Sequence, residues 1–340
     1  MDPTPRCSRP PRCRRRNART PRTSRQLGPT PKRPTPYALR PKHYYLLNHS
    51  LFTIQYSIFP MSTPSLTKHL LSGSLGDLLV DVRTGDRSSP RPAVLVIHGF
   101  KGFKDWGMFP PLADRLANAG FTAVSFNLSG SGADDAGEFS LLDRFAHATY
   151  RDDLEDIDRM LRAIAEGDLE FPAPTSIGVV GHSRGGGAAV LMAGDPRIDA
   201  LVTWAGVGTI RRWSDDDMKL WQERGVLEIL NARTGQVMEL HDEARREIEA
   251  EAEGALDIER AAARVTAPWL IIHGDQDEAV PVDEARRLAA VSTRRGTDTE
   301  LVVIEGAGHT FGAAHPFAGM TPHLQEAMDQ TVGWFSRHLG

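Results

Sequence analysis

From about residue 66 onward, apolar residues fall into short runs separated by amphipathic stretches. Residues 66–71 and 78–82 read as two strands, with Gly73 and Gly76 punctuating the turn between them. Residues 93–97 (AVLVI) form an unbroken apolar run of the kind found in central strands covered on both faces. Residues 109–119 carry Leu112, Leu116 and Ala119 at helical spacing, and Gly120 is placed to end that helix. A strand over 121–128 closes on the Gly-rich Ser129-Gly130-Ser131-Gly132. Residues 152–165 place Leu154, Ile157, Leu161 and Ile164 on one helical face. Strands are predicted at 177–180, 200–204, 269–272 and 301–304, a Gly/Ala-rich helix at 185–193, and a closing helix at 324–338.

Strand alternating with helix predicts an α/β fold with a mostly parallel sheet covered by helices on both faces. Residues 208–265 break the rhythm, being long, charged and mostly helical in composition. Within them, 226–230 and 236–240 flank Asn231-Ala232-Arg233-Thr234-Gly235 and suggest a small hairpin. An insertion there is expected to lie over the C-terminal strand ends, where α/β sheets bind ligands, and reads as a cap.

Composition changes the picture mainly at the N-terminus. The formal net charge of −4 averages two unlike segments. Residues 1–60 hold thirteen of the 40 Lys/Arg and one of the 44 Asp/Glu, Asp2, so the tail is +12 and the rest −16. A segment this basic and Pro-rich cannot bury enough apolar surface to fold alone. The expected organisation is a disordered tail over 1–60, read as translated upstream sequence, and a domain over 61–340 beginning at Met61. An organelle transit peptide or a basic nucleic-acid-binding arm are the alternatives for the tail. Both cysteines, Cys7 and Cys13, lie in the tail, so the domain is expected to use neither disulfide nor thiol chemistry. With no convincing export signal and no apolar run long enough to span a membrane, the expected location is cytoplasmic. The negative domain charge argues against nucleic acid as a partner. Oligomeric state is not legible.

The candidate chemistry centres on Gly181-His182-Ser183-Arg184-Gly185, set between a strand and a small-residue helix. G-x-S-x-G at such a junction is the signature of a nucleophile elbow, a turn so tight that the serine projects outward. A serine hydroxyl is a weak nucleophile near neutral pH and needs a histidine base held by a carboxylate. Downstream, His273-Gly274-Asp275-Gln276-Asp277 follows one predicted strand and Glu305-Gly306-Ala307-Gly308-His309 follows the next. His309 suits the base better than His315, His323 or His338, because its Gly-rich loop leaves a strand. Asp275 and Asp277 both remain open as the acid.

These motifs, with His98-Gly99-Phe100, make residues 92–340 resemble the α/β-hydrolase superfamily. Within it, the chain is similar to dienelactone-hydrolase-like proteins, cinnamoyl or feruloyl esterases and the prolyl-oligopeptidase catalytic domain. The resemblance implies Ser183 as nucleophile, Asp277 as acid, His309 as base, and an oxyanion hole from the backbone N–H groups of Phe100 and Arg184. Asp275 is then expected to shape its turn. His98, His182 and His273 belong to family motifs; no ligand set at metal-site spacing is visible, and neither metal nor cofactor is expected. Trp204, Trp213 and Trp221 are read as core packing, with an aromatic acyl pocket as the alternative. Phe100 could equally be a pocket wall or a plain core aromatic. Asp215-Asp216-Asp217 and 243–253 are expected to be solvated helix surface.

The resulting expectation is a serine carboxylesterase acting on small or aryl acyl esters through an acyl-enzyme. The alternatives are an acyl-peptide or amide hydrolase, weakened by the lack of a preceding propeller, a thioesterase or lactone hydrolase, and, less in keeping with a complete triad, a non-catalytic binding protein.

Overall fold

The structure, a computed structural model, describes residues 64–294 and 296–340; the basic tail and the expected start at Met61 lie outside them. Ten strands are present among the described residues: β1 (Ser65–Ser72), β2 (Asp77–Thr84), β3 (Ala93–Ile97), β4 (Thr122–Phe126), β5 (Ile177–His182), β6 (Ala200–Trp204), β7 (Val226–Asn231), β8 (Gln236–His241), β9 (Trp269–Gly274) and β10 (Thr299–Ile304). Eight of them form one sheet in the order β1-β2-β4-β3-β5-β6-β9-β10. The six strands from β4 to β10 run parallel, and the β1–β2 hairpin adds to that edge antiparallel. The α/β-hydrolase fold with a mostly parallel sheet is therefore observed.

The helices are α1 (Phe109–Asn118), α2 (Leu142–Ala146), α3 (Tyr150–Glu166), α4 (Arg184–Met192), α5 (Asp215–Arg224), α6 (Asp242–Glu251), α7 (Ile258–Ala262), α8 (Val282–Thr293) and α9 (Pro322–His338). The apolar run of β3 is buried throughout because both faces are covered. Ala93, Leu95 and Ile97 join a core with α3, α4, α7 and α8, while Val94 and Val96 join a second core with α1 and α9. A Cβ on Gly178 of β5 would lie 2.6 Å from the Phe335 ring, so glycine there lets α9 dock close to the sheet.

Local capping signals set two helix starts, one of which periodicity alone placed differently. Thr149 caps α3 through a capping box with Asp152, which begins the helix at Tyr150 rather than at 152 and stabilises it by about 1 kcal/mol. Ser214 and Asp217 form a second such box at α5. Neither α2 nor α8 is predicted by the apolar pattern. The buried face of α8 consists of Glu284, Ala285, Leu288 and Ser292, a weak apolar stripe. The hairpin predicted inside 208–265 is present as β7 and β8, paired from Val226–His241 to Asn231–Gln236.

Candidate active site

The centre of the site is the turn between β5 and α4. Ser183 has φ 55 and ψ −119, a conformation that costs a non-glycine residue roughly 1–3 kcal/mol. It is held from both sides: its N–H donates to the Trp204 carbonyl at 2.9 Å, and its own carbonyl accepts from Gly187 and Val207 at 3.1 and 3.2 Å. The flanking glycines are sterically required. A Cβ on Gly181 would run into the Gly185 carbonyl, and one on Gly185 into the His98 carbonyl. The serine is thus fixed outward at the C-terminal edge of a central strand.

The next two strands bring the remaining groups to it. Ser183 Oγ lies 3.0 Å from His309 Nε2, and His309 Nδ1 lies 2.8 Å from Asp277 Oδ2. The Asp277 side chain is fully buried, which by itself would raise its pKa. Hydrogen bonds from His273 and His309, together with the Val280 N–H, hold the carboxyl well below the ordinary range. Its other oxygen accepts from the Ala279 and Val280 N–H groups, both at 2.9 Å. Asp277 therefore stays ionised and orients the His309 ring. Asp275 instead accepts from the Gly306 N–H at 2.7 Å and ties the β9 loop to the β10 loop.

The three motif histidines are pinned by backbone partners. His98 Nδ1 donates to the Gly99 carbonyl at 2.8 Å while Nε2 accepts from the Leu128 N–H at 3.1 Å. Burial lowers its pKa to about 4. His182 Nε2 donates to the His309 carbonyl at 2.9 Å, and burial first, then repulsion from His309, brings its pKa down to about 3. His273 donates to the Val280 carbonyl at 2.8 Å and sits 3.3 Å from Asp277.

The two backbone N–H groups expected to receive an oxyanion are those of Arg184 and Phe100. Arg184 is the first residue of α4, where helical N–H groups have no intrahelical partner. The Phe100 N–H donates to no backbone carbonyl among the described residues. Gly99 allows this loop to approach, since a Cβ there would be 2.9 Å from the Ser183 Cβ.

A model of the prolyl oligopeptidase family matches residues 109–340. The chain belongs to the prolyl oligopeptidase family. It is a serine hydrolase of α/β-hydrolase type, and the solved structures similar to it include both esterases and peptidases. It is similar to Est1E from Butyrivibrio proteoclasticus, at 19% identity and TM-score 0.57 over 80% of this chain and 98% of that one. Dienelactone hydrolase from Anabaena variabilis is similar at 18% identity and TM-score 0.55, over 82% and 100%. The acylaminoacyl peptidase of Pyrococcus horikoshii matches at 19% identity and TM-score 0.60, over 82% of this chain and 42% of that one. Among curated proteins, the uncharacterized peptidase YuxL of Bacillus subtilis is 30% identical over 79 residues, 23% of this chain and 11% of that protein. The matched stretch is thus a small part of that relative's length.

Around the elbow, the family member has two unlike recesses. A partly open cavity of about 160 Å³ is walled by Phe100, Tyr150, Trp213, Trp221 and Ile248, and Ser183 lines it. A somewhat more open cleft of about 250 Å³ is lined by Trp106, His309, Lys101 and Arg233, and Ser183 and Phe100 line both recesses. The three tryptophans thus divide. Trp204 is core, bonded through Nε1 to Thr331 at 2.8 Å, whereas Trp213 and Trp221 pack edge-on at 5.9 Å and line the cavity. Phe100 is a wall, 6.2 Å from the Trp213 ring.

Three features escaped the sequence reading. The Arg184 side chain lies in the cavity wall; it pairs with buried Asp153 at 2.6 Å and stacks 4.0 Å from the Tyr150 ring centroid. Glu247, expected as solvated surface, accepts from the Tyr150 and Arg151 N–H groups at 2.6 and 2.9 Å and joins α6 to the start of α3. His147, His241 and Glu243 bring ligand-type atoms within 4.8 Å of one another, a grouping the sequence spacing did not reveal. The only local signal for any of these was the acidic start of the 152–165 helix.

Proposed function

We propose that the protein is a serine carboxylesterase acting on small or aryl acyl esters through an acyl-enzyme. The observation that carries this reading is the hydrogen-bonded chain from Ser183 through His309 to Asp277, opening directly onto an aromatic cavity. Ser183 Oγ attacks the ester carbonyl carbon as its proton passes to His309 Nε2. The carbonyl oxygen becomes an oxyanion, received by the Phe100 and Arg184 N–H groups. The intermediate collapses, the ester C–O bond breaks, and His309 returns the proton to the departing alkoxide. Water, deprotonated by His309, then attacks the acyl-enzyme and frees the acid and Ser183. No cofactor enters these steps. The insertion over residues 208–265 supplies Trp213, Trp221 and Ile248 to the cavity and so acts as the cap that selects the acyl group.

The two recesses divide the substrate. The general acid must touch the leaving oxygen, and His309 lines the open cleft, so the alcohol half occupies that cleft and the acyl half the aromatic cavity. Est1E, which has been solved with ferulic acid bound, supports the aryl acyl choice by likeness of fold. Membership of the prolyl oligopeptidase family favours a second reading, hydrolysis of acylated amino acid amides.

A p-nitrophenyl ester series, run beside acyl-amino-acid anilides, separates these readings. Turnover of acetyl to benzoyl esters, lost by at least about 10³-fold in Ser183→Ala, is expected. An active Ser183→Ala protein would sink the mechanism, and anilides turned over faster than esters would favour the amide reading.

A further inference from the structure

The cations around Ser183 fall into two groups. Arg184 is paired with Asp153 at 2.6 Å and Arg212 with Glu284 at 2.5 Å. Lys101 and Arg233 have no carboxylate within ion-pair distance among the described residues. Lys101 Nζ is 3.4 Å from the Leu230 carbonyl and 5.8 Å from the Phe100 ring centroid. Arg233 stacks on Phe103 and Phe139 at 5.4 and 5.3 Å. Both line the cleft that also contains Ser183 and His309. Lys101 directly follows Phe100 and holds a left-handed φ of 54, a strained conformation for a lysine. Arg233 reaches the same cleft from the β7–β8 turn.

The two cations lie close enough for their charges to repel. Burial lowers the pKa of Lys101, and the Arg233 charge lowers it further. Burial also lowers that of Arg233, opposed by the nearby Glu138 charge. A carboxylate between the two would relieve their mutual repulsion, and both have free donors to meet it.

We infer that the alcohol half of the substrate carries a carboxylate, held by Lys101 and Arg233, so that the preferred substrates are apolar acyl esters of hydroxy acids. This rests on the ester reading above and on the assignment of the leaving group to the His309 side.

The test uses two butanoyl esters, of 4-hydroxyphenylacetate and of its methyl ester, whose phenols leave with similar ease. The wild-type protein is expected to favour the anionic ester in kcat/KM by about tenfold at low salt, with the preference shrinking as NaCl is raised. In Arg233→Gln, and more so in Arg233→Gln/Lys101→Gln, the ratio of the two kcat/KM values is expected to fall towards one. Taking the ratio within each variant cancels changes in the shared chemistry. Where a variant does not fold, the salt response of the wild type decides alone. A wild-type ratio of one or less, or a preference insensitive to both salt and Arg233→Gln, would overturn the inference while leaving the ester reading intact. Failure to hydrolyse either ester would overturn the ester reading itself. A third ester with its carboxylate on the acyl side, phenyl hydrogen succinate, is expected to gain no advantage over phenyl butanoate; a clear advantage would overturn the assignment of the halves.

Discussion

Two buried carboxylates lie near Ser183, and burial has opposite outcomes for them. Asp277, after β9, accepts from two backbone N–H groups and faces two histidine rings, and its carboxyl is held below the ordinary range. Asp153, in the first turn of α3, is pushed up to about 6 by burial, which the adjacent Arg184 offsets only in part, with Asp156 and Glu247 adding repulsion. Both side chains are shut off from solvent, and the number and direction of donors separate the two outcomes. Asp277 meets several converging donors; Asp153 meets one guanidinium nitrogen and a field of other acids.

The largest expected break in this contrast comes at Asp277. Asp277→Asn keeps the shape but loses the charge that orients His309, and kcat is expected to fall by about 10³–10⁴-fold. A fall of less than about tenfold would mean that His309 does not depend on this carboxylate. Stability should respond in opposite directions at the two sites. The folded pKa of Asp277 lies below its unfolded value, so its contribution is present above about pH 4 and is lost as pH falls through the folded value. The folded pKa of Asp153 lies above its unfolded value, so its contribution is greatest below about pH 4 and declines as pH rises to about 6. Urea denaturation at pH 7 should therefore show Asp277→Asn less stable than the wild type by about 1–3 kcal/mol, and Asp153→Asn no less stable. Asp153→Asn should also flatten the stability curve between pH 4 and 6. A loss of several kcal/mol in Asp153→Asn at pH 7 would show that the pairing with Arg184 outweighs burial.

The smallest effect belongs to Glu247. Glu247→Gln removes a negative charge from the start of α3 and from beside Asp153. It is expected to cost about 0.5–1 kcal/mol through the lost helix-terminus interaction. It should also lower the midpoint of the Asp153 titration, readable by carboxyl NMR. An unmoved midpoint would remove Glu247 from the account of why Asp153 is raised.

Much of this was readable before the structure. The sheet strands of the domain were legible because each is a short apolar run bounded by turn residues, and Ser183, Asp277 and His309 because each follows such a run. Helix α8 was not, since Ala285 and Leu288 give it too slight an apolar stripe beside Asp283, Glu284, Arg286 and Arg287. The Arg184–Asp153 pair was illegible for a different reason. Local pattern predicts local structure, whereas these partners stand 31 positions apart and meet only once α3 packs on α4. Trp204, Trp213 and Trp221 are alike in sequence terms, and only the path of the chain after β6 separates a core tryptophan from two that line a cavity.

The contact between His182 and the carbonyl of His309 has a consequence for how the protein loses activity. It couples the residue before Ser183 to the backbone of His309, across 127 positions. The loop at 305–311 and the β5–α4 turn are therefore expected to open as one cooperative unit. Amide exchange in the two segments should speed up together on warming, and inactivation should follow that opening rather than global melting. In this molecule the site would act as its own gauge of local order, failing as a whole while the surrounding sheet still stands.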